Sequence, residues 1–512
     1  MKKHSRSAYL LGAIIVIAIF FRFYNYANLQ LWTGDDEIIT ATIRHIIWDK
    51  SPSLLIPNST LGFGMGPYYF YAISIFYYLT NFNLVLVQGV ASIIGVATTY
   101  MIFRCGKFIY DSNVGLVASF LYACSFLISL LDRRLWPLTP GPFLAILTVL
   151  SLAKVLKGDL KFIPVLALPI GFAFHSDLYL LVLVLSIIVC WVIFKFPIKH
   201  WYSFIFVCLL IIFALPFGVA EIRYNGAVSG PFLHTINKPF EGQGLSPGRL
   251  YSVFGMSDAI NVLTRILFTK PSHFIDSQWC HGDCIYPTPM FSPFSQILVV
   301  TLLGLSLFIL WRKPDKSKLI PWLVIVSFIF GMLLFNRLFR SNFSQLYFLV
   351  IMPVFLLTIS PTLVALEKKL KISLPLFLLI YFFANYYTLQ NSSIKYPLSK
   401  KIALVRQSIS VLKEDKFAIE ASQIGEIQGG GWTELYTLQK YPAVKSYWYI
   451  FTDWIYASYS LYPTQIQQTD PGKAVIFQQV GESLQTNNNV VWKQIFKDLE
   501  IVIVDTSGVK SF

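Results

Sequence analysis

Residues 32–48 read WTGDDEIITATIRHIIW and follow directly after the first long apolar segment of the chain. Thr33 is a good helix N-cap, and Asp36, three residues later, nearly completes a capping box. Three consecutive carboxylates also suit the positive end of a helix dipole. Apolar residues at positions 39, 43, 46 and 47 form one stripe, so the stretch predicts an interfacial helix with an exposed acidic start. On these residues alone, simple capping explains the acids as well as a chemical role does.

The composition identifies a polytopic membrane protein. Of its 512 residues, 55% are hydrophobic and only 13% are charged, and the mean hydropathy is +0.60. These values exclude a soluble globular chain. The formal net charge is +15, but the lysines and arginines lie in short clusters between apolar runs. This is the positive-inside pattern, so the charge indicates membrane topology, and no nucleic acid partner is expected.

Apolar runs and charge clusters together predict about eleven membrane spans. The first runs from Tyr9 to Phe23 with the N-terminus in the cytoplasm. The others cover residues 83–103, 113–131, 142–157, 162–175, 177–194, 201–219, 294–311, 319–335, 345–365 and 372–389. Pro164 and Pro169 make span 162–175 irregular. The predicted fold class is an all-α polytopic protein of the cell (plasma) membrane, with a transmembrane domain over residues 1–389.

Three regions are predicted to lie outside the cytoplasm. The 24–82 loop carries two interfacial helices, the second in the tyrosine-rich segment 64–78. The 220–293 loop is long and rich in Gly and Pro. Residues 390–512 predict a small extracytoplasmic α/β domain, with a helix at 402–412 and strands at 474–477 and 500–504. In the long loop, Cys280 and Cys284 could form a disulfide or part of a metal site, although four ligands are not visible.

The charges outside the basic loops gather at the outer ends of the spans. They are Asp35, Asp36, Glu37, Asp132, Arg133, Arg134, His175, Asp177, Glu221, Arg223, Arg337 and Arg340. Cations and carboxylates at one membrane face suit a transferase whose donor is a lipid phosphate. Arginines would hold the phosphate, and a carboxylate would activate an acceptor arriving from water. For any single arginine, snorkelling to the interface is the ordinary alternative.

Several short motifs resemble a known group of membrane enzymes. They are Asp36-Glu37 after the first span, Gly66-Pro67 opening an outer helix, LDRRLWP at 131–137 and LPFGVAEIR at 215–223. Their order and spacing resemble the dolichyl-phosphate-mannose-protein mannosyltransferase and aminoarabinose-transferase-like group, integral-membrane glycosyltransferases of the GT-C fold. Tyr347, in LYF at 346–348, resembles the start of a late span in this group. The resemblance covers roughly residues 9–365.

The resemblance implies an inverting sugar transfer from a polyprenyl-phosphate donor to a glycan or protein acceptor at the extracytoplasmic face. Asp36 matches the catalytic acid and Glu37 its acidic neighbour. On a helix, Asp35 and Glu37 point about 100° to either side of Asp36, so the three cannot serve one hydroxyl. The predicted substrate-binding residues are Asp35, Arg133, Arg134, His175, Arg223, Arg337, Arg340 and Tyr347.

The chain departs from the group at two positions. Many relatives carry His or Lys just before the proline at Met65-Gly66-Pro67, and an expected Arg is Gln88. These departures shift the predicted phosphate contacts to Arg133, Arg134, Arg337 and Arg340. They also leave open a catalytically inactive relative that acts as a binding or assembly subunit.

A transporter or lipid-carrier flippase is the other alternative. It would predict polar residues midway through the spans or broken helices in two matching halves, and neither is clear in this sequence. No dedicated metal site is predicted. Three adjacent carboxylates could bind Mg²⁺ or Mn²⁺, but only a modest dependence is expected because arginine already holds the phosphate.

Overall fold

The computed structural model describes residues 2–50, 52–58, 64–196, 201–237, 255–272, 289–339, 345–413, 415–422, 427, 430–447, 471–482 and 489–506. Within these ranges the protein is mainly helical and carries a small sheet near its C-terminus. Three residues singled out above, Cys280, Cys284 and Arg340, lie outside the described ranges.

Sixteen helices precede the C-terminal domain in the described part of the chain. They are α1 (Lys2–Phe23), α2 (Gly34–Trp48), α3 (Tyr68–Leu79), α4 (Leu84–Ile109), α5 (Ser112–Cys124), α6 (Phe126–Leu131), α7 (Gly141–Leu156), α8 (Ala167–His175), α9 (Leu181–Phe194), α10 (Trp201–Arg223), α11 (Ser229–Asn237), α12 (Met256–Leu267), α13 (Phe294–Arg312), α14 (Lys316–Phe339), α15 (Met352–Lys369) and α16 (Ser373–Gln390).

Each predicted span coincides with one helix or with consecutive helical pieces. By length and composition alone, five described segments could cross a membrane: Arg6–Phe23, Leu84–Ile109, Trp201–Arg223, Phe294–Arg312 and Lys316–Arg337. The multi-pass character is therefore confirmed, and the count of eleven crossings stays a prediction. The proline-containing span is irregular, because 3₁₀ turns at Leu160–Phe162 and Pro164–Leu166 precede α8.

The loop over residues 24–82 contains the two predicted helices, α2 and α3. Between them, strands β1 (Ile56–Asn58) and β2 (Gly64–Met65) form an antiparallel pair that the sequence did not predict. The pair brings Gly66 to the start of α3.

A buried ion pair fixes the end of α1 against the loop after α6. Arg22 donates to Asp132 Oδ2 through Nε (2.9 Å) and Nη2 (2.7 Å). Gly95 of α4 leaves room for this pair, since a Cβ there would lie 2.3 Å from the same oxygen. Asp132 thus has a structural role, because it joins α6 to α1. It also places the next two residues, Arg133 and Arg134, beside α1 and α2.

The C-terminal region forms the small α/β domain that was predicted. It contains α17 (Leu398–Leu412), α18 (Thr433–Leu438) and strands β3 (Phe417–Ala421), β4 (Lys445–Ser446), β5 (Lys473–Gln479), β6 (Val490–Phe496) and β7 (Leu499–Asp505). The sheet order is β4-β3-β5-β7-β6. Strand β3 pairs in parallel with β4 and β5, whereas β7 pairs antiparallel with β5 and β6.

This domain packs directly on the start of α2. Lys401 Nζ donates to the carbonyls of Trp32 (2.9 Å) and Gly430 (2.6 Å). The Trp32 indole donates to the Gly431 carbonyl (2.7 Å). These groups are buried or lie in the turn before α18. The C-terminal domain therefore holds α2, the helix that carries the three acids.

Candidate active site

The N-terminus of α2 is closed by a complete capping box. The Thr33 hydroxyl accepts from the Asp35 N–H (3.2 Å), and Asp36 Oδ2 accepts from the Thr33 N–H (2.8 Å). The predicted helix and its N-cap are thus confirmed. The expectation of an exposed acidic start holds for Asp35 only, because Asp36 and Glu37 are buried.

Arg134 forms a buried ion pair with Asp36. Its Nε lies 3.1 Å from both carboxylate oxygens, and its Nη2 lies 2.6 Å from the Thr33 hydroxyl. The guanidinium also lies over the Trp136 ring, 4.6 Å from the centroid. The capping donors and the guanidinium together occupy Asp36, which is 1% exposed. Asp36 therefore has little capacity to accept a proton from a substrate.

Glu37 faces the C-terminal domain. One carboxylate oxygen accepts a hydrogen bond from the Glu434 backbone N–H, and the other has no hydrogen-bond partner within the described ranges. Burial raises the pKa of Glu37 well above its usual range. Glu434 in turn pairs with Arg44 of α2 (2.6 Å). Glu37 thus belongs to the contact between α2 and α18.

Asp35 is the acid of α2 that remains open. Its side chain is 53% exposed, and its closest cation is Arg134, 3.5 Å away. Surrounding protein nevertheless raises the pKa of this carboxyl, and Arg134 opposes that shift. Asp35 is therefore the one exposed carboxylate at the start of α2. This geometry suits a group that meets a ligand.

Asp177 is a second acid on the same side of the molecule. It lies in the turn between α8 and the 3₁₀ turn Leu178–Leu180, and it accepts from the Tyr179 N–H (3.0 Å). Burial raises its pKa to about 7, and the negative charge of Asp35 adds to that rise. Tyr347 lies in the field of both carboxylates and stacks on the Tyr179 ring. Asp35, Asp177 and Tyr347 therefore interact electrostatically, and we call these three residues the Asp177 group.

Arg133 points away from this group. Its Nη2 donates to the carbonyls of Phe21 (2.6 Å) and Tyr24 (2.9 Å), which are free acceptors at the end of α1. Burial lowers its pKa to about 9. Its Nε and Nη1 have no hydrogen-bond partner among the described residues. In this arrangement Arg133 caps α1, and the phosphate contact predicted for it has no support from its position.

His175 also makes structural contacts. Its Nδ1 accepts from the Tyr68 N–H (3.2 Å), and its Nε2 lies 2.7 Å from the Phe213 carbonyl, which requires the neutral ring. A Cβ at Gly66 would lie 2.1 Å from the imidazole, so only glycine allows this approach. The Tyr68 hydroxyl donates to the Ile212 carbonyl (2.9 Å), whose helical donor is missing because residue 216 is proline.

The remaining predicted cations lie at helix ends. Arg223 ends α10 and Arg337 lies in the last turn of α14; both side chains are exposed. Phe335, one turn before the end of α14, packs against Tyr179 with 5.2 Å between ring centroids. Arg337 is therefore carried by a helix that reaches the Asp177 group. No contact joins either arginine to Asp35 in the described structure, and Arg340 lies outside it.

Sequence reasoning proposed Asp35, Asp36, Arg134 and Tyr347 for the site. The structure places the first three in contact, and Tyr347 lies in the electrostatic field of Asp35. It noted Asp177 as an outer-end charge without including it among the substrate-binding residues. The usable signal was an isolated acid between two apolar runs at a predicted outer end. No local signal could show that Glu37 pairs with a residue 397 positions away.

Comparison with known proteins agrees with this architecture. A family model described as dolichyl-phosphate-mannose-protein mannosyltransferase matches residues 65–219, which run from the end of β2 into α10. No curated protein sequence matches the chain.

Two solved structures of ArnT from Cupriavidus metallidurans are similar over nearly the whole chain. The one bound to undecaprenyl phosphate has 9% identity and a TM-score of 0.60, and the match covers 97% of each chain. The apo structure gives the same identity and TM-score with 98% coverage of each chain. The match to archaeal AglB from Archaeoglobus fulgidus has 12% identity and a TM-score of 0.47, and it covers 93% of this chain and 70% of that chain. The chain therefore has the GT-C fold of the integral-membrane glycosyltransferases, the group that its motifs resemble.

Proposed function

We propose that this protein is an inverting glycosyltransferase that moves a sugar from a polyprenyl-phosphate donor to an acceptor at the extracytoplasmic face of the cell membrane. The main support is Asp35, an open carboxylate beside the Arg134–Asp36 ion pair in a chain with the GT-C fold. The undecaprenyl phosphate in the ArnT structure supports the same donor class here.

Asp35 is the proposed general base. Its carboxylate takes the proton of the acceptor hydroxyl while that oxygen attacks the anomeric carbon of the sugar. The bond from the anomeric carbon to the phosphate oxygen breaks, and its electron pair leaves with the polyprenyl phosphate. One displacement from the face opposite the leaving group inverts the anomeric configuration. A base suffices on the acceptor side because the phosphate is a good leaving group.

This assignment moves the base from Asp36, the residue indicated by the resemblance, to its neighbour. Asp36 is occupied by Arg134 and by the capping donors, whereas Asp35 is open. Asp36 then acts as a positioning residue that fixes Arg134 and the first turn of α2. Glu37 fixes the same turn against α18.

Arg223 and Arg337 are the proposed cations on the phosphate side. Both guanidinium groups are exposed at helix ends, and α14 reaches the Asp177 group through the contact of Phe335 with Tyr179. Arg340 stays a predicted third cation. Guanidinium groups suit this role because two N–H donors match two phosphate oxygens.

The experiment is sugar transfer by the purified full chain in liposomes, assayed with a panel of polyprenyl-phosphate sugars. Asp35→Asn is expected to lower the rate by about 100- to 10,000-fold, the usual contribution of a general base. Asp49→Asn, at the exposed far end of α2, is the matched control and is expected to keep the rate. Normal transfer by folded Asp35→Asn, with loss in folded Asp36→Asn, would return the base to Asp36. Transfer from none of the donors would contradict the proposed function.

A further inference from the structure

A basic cavity lies at the end of the helix bundle opposite α2. It has a volume of about 570 Å³ and is lined by Ser7, Ala8, Leu11, Tyr100, Phe103, Arg104, Lys107, Phe108, Leu150 and Lys154. These residues come from the start of α1, the end of α4 and the end of α7. Two of these helices are candidate membrane spans that terminate here. The cavity therefore lies at the level where lipid headgroups meet the bilayer core.

We propose that this cavity binds the phosphate headgroup of an anionic membrane phospholipid. Three cations, Arg104, Lys107 and Lys154, line it, and no lining residue in the described chain is a carboxylate. Asp159, outside the lining, is the acid nearest to Lys154, with 3.5 Å between them. Clusters of cations between spanning helices at a membrane surface bind anionic headgroups.

Each of the three cations lies beside an aromatic ring. Arg104 donates to the Tyr100 hydroxyl (2.8 Å), and Lys107 Nζ lies 5.9 Å from the Phe103 ring centroid. Lys154 Nζ lies 4.2 Å from the Phe162 ring centroid. An ammonium or guanidinium has more donors than one such contact uses, so donors remain for a phosphate oxygen.

The apolar lining favours a lipid over a free phosphate ion. Leu11, Phe103 and Leu150 line the same space as the three cations. A free phosphate gains nothing from apolar side chains, whereas a phospholipid places its acyl chain on them and its headgroup on the cations. Basic residues that serve only the positive-inside rule need no such cavity.

The test is native mass spectrometry of the full chain in detergent, titrated with phosphatidylglycerol or phosphatidylcholine of matched acyl chains. Wild type is expected to retain phosphatidylglycerol in preference. The triple variant Arg104→Gln, Lys107→Gln, Lys154→Gln is expected to bind it at least about tenfold more weakly. The matched control, Lys368→Gln, Lys369→Gln, Lys371→Gln, removes three exposed lysines outside the cavity and should bind as wild type does.

Three outcomes would overturn the proposal. They are equal binding of the two lipids by wild type, equal loss in the control variant, and full displacement of the lipid by millimolar inorganic phosphate, which would indicate a free phosphate ligand. If the triple variant fails to fold, Arg104→Lys keeps the charge and should retain binding, while Lys154→Gln alone should weaken it. These readouts measure lipid binding and not sugar transfer, so they test the lipid site independently of the proposed function.

Discussion

At the scale of single residues, the site depends on which of two adjacent acids is exposed. Asp35 and Asp36 differ by one helical step, yet one is open and the other is engaged by Arg134 and the capping donors. The sequence indicated that the acids could not all face one hydroxyl, because helical geometry separates them by about 100°. It could not show which one faces the ligand, since that depends on where the loop after α6 places Arg134.

Asp177 should tune the pH dependence of sugar transfer. Its pKa is raised to about 7, in part by the charge of Asp35, so below pH 7 it is mostly neutral and above pH 7 it is mostly charged. At the acidic limb of the pH profile of kcat/KM, where the base becomes protonated, Asp177 is therefore already neutral, so Asp177→Asn should leave this limb in place. Above pH 7 the substitution removes a negative charge beside Asp35 that would repel the donor phosphate. We expect kcat/KM to exceed the wild-type value above pH 7.

The control for this prediction is Asp159→Asn, an acid at the opposite end of the bundle, which should leave the profile in place. An acidic limb that moves in Asp177→Asn would contradict the order in which the two acids ionise. An unchanged kcat/KM above pH 7 would show that the charge of Asp177 does not act on the site.

At the scale of elements, α2 is positioned by contacts from two parts of the chain that are distant in sequence. Arg134 follows α6, whereas Lys401 lies on α17 and donates to the Trp32 carbonyl just before α2. The helices of the predicted spans, together with α2 and α3, were predictable because their periodicity and caps are local. Helices α11, α12 and α18 were not predicted. The β1–β2 pair and strands β3, β4 and β6 were not predicted, since their pairing depends on partners distant in sequence.

Removing the Lys401 ammonium should loosen α2. Lys401→Met keeps the length of the side chain but leaves the carbonyls of Trp32 and Gly430 without this donor. Because both carbonyls are in a buried region, we expect a loss of about 2 kcal/mol in stability and a reduced kcat. Lys400→Met, at the adjacent exposed position, is the control and should change stability by less than about 0.5 kcal/mol.

The measurement is the thermal midpoint in detergent together with kcat in liposomes. A Lys401→Met protein with wild-type values of both would show that the C-terminal domain does not position α2.

At the scale of the whole molecule, buried acids should make stability depend on pH. Burial raises the pKa values of Asp177, Glu37 and Glu434 above their ordinary values of 3.8 or 4.5. The folded protein therefore binds more protons than the unfolded chain between about pH 4 and pH 7. Stability from these groups is fully present below that window and is lost as the pH rises through it. We expect a lower thermal midpoint at pH 8 than at pH 5.

Asp177→Asn should reduce this decline, because asparagine stays neutral at both pH values. Asp49→Asn, which changes an exposed acid, should show the full decline. A midpoint that rises from pH 5 to pH 8 in wild type would contradict the raised pKa values.

The fold class and the helix positions were predictable from local hydrophobicity and charge, and the similarity to ArnT confirms the fold. The roles of Arg133 and His175 were not predictable in the same way. Both were expected at the substrate because they are polar residues at outer span ends. The structure shows that Arg133 Nη2 bonds to a backbone carbonyl of α1 and that the His175 ring bonds to a backbone carbonyl of α10.

The packing of α18 and α17 on α2 has a practical consequence for protein engineering. Trp32, Glu37 and Arg44 all bond to residues 430–434, so α2 and the C-terminal domain must be exchanged together in a chimaera. A chimaera that exchanges only residues 390–512 with another protein of this fold would break these contacts. Donor or acceptor preference could be transferred only if residues 32–44 are exchanged as well.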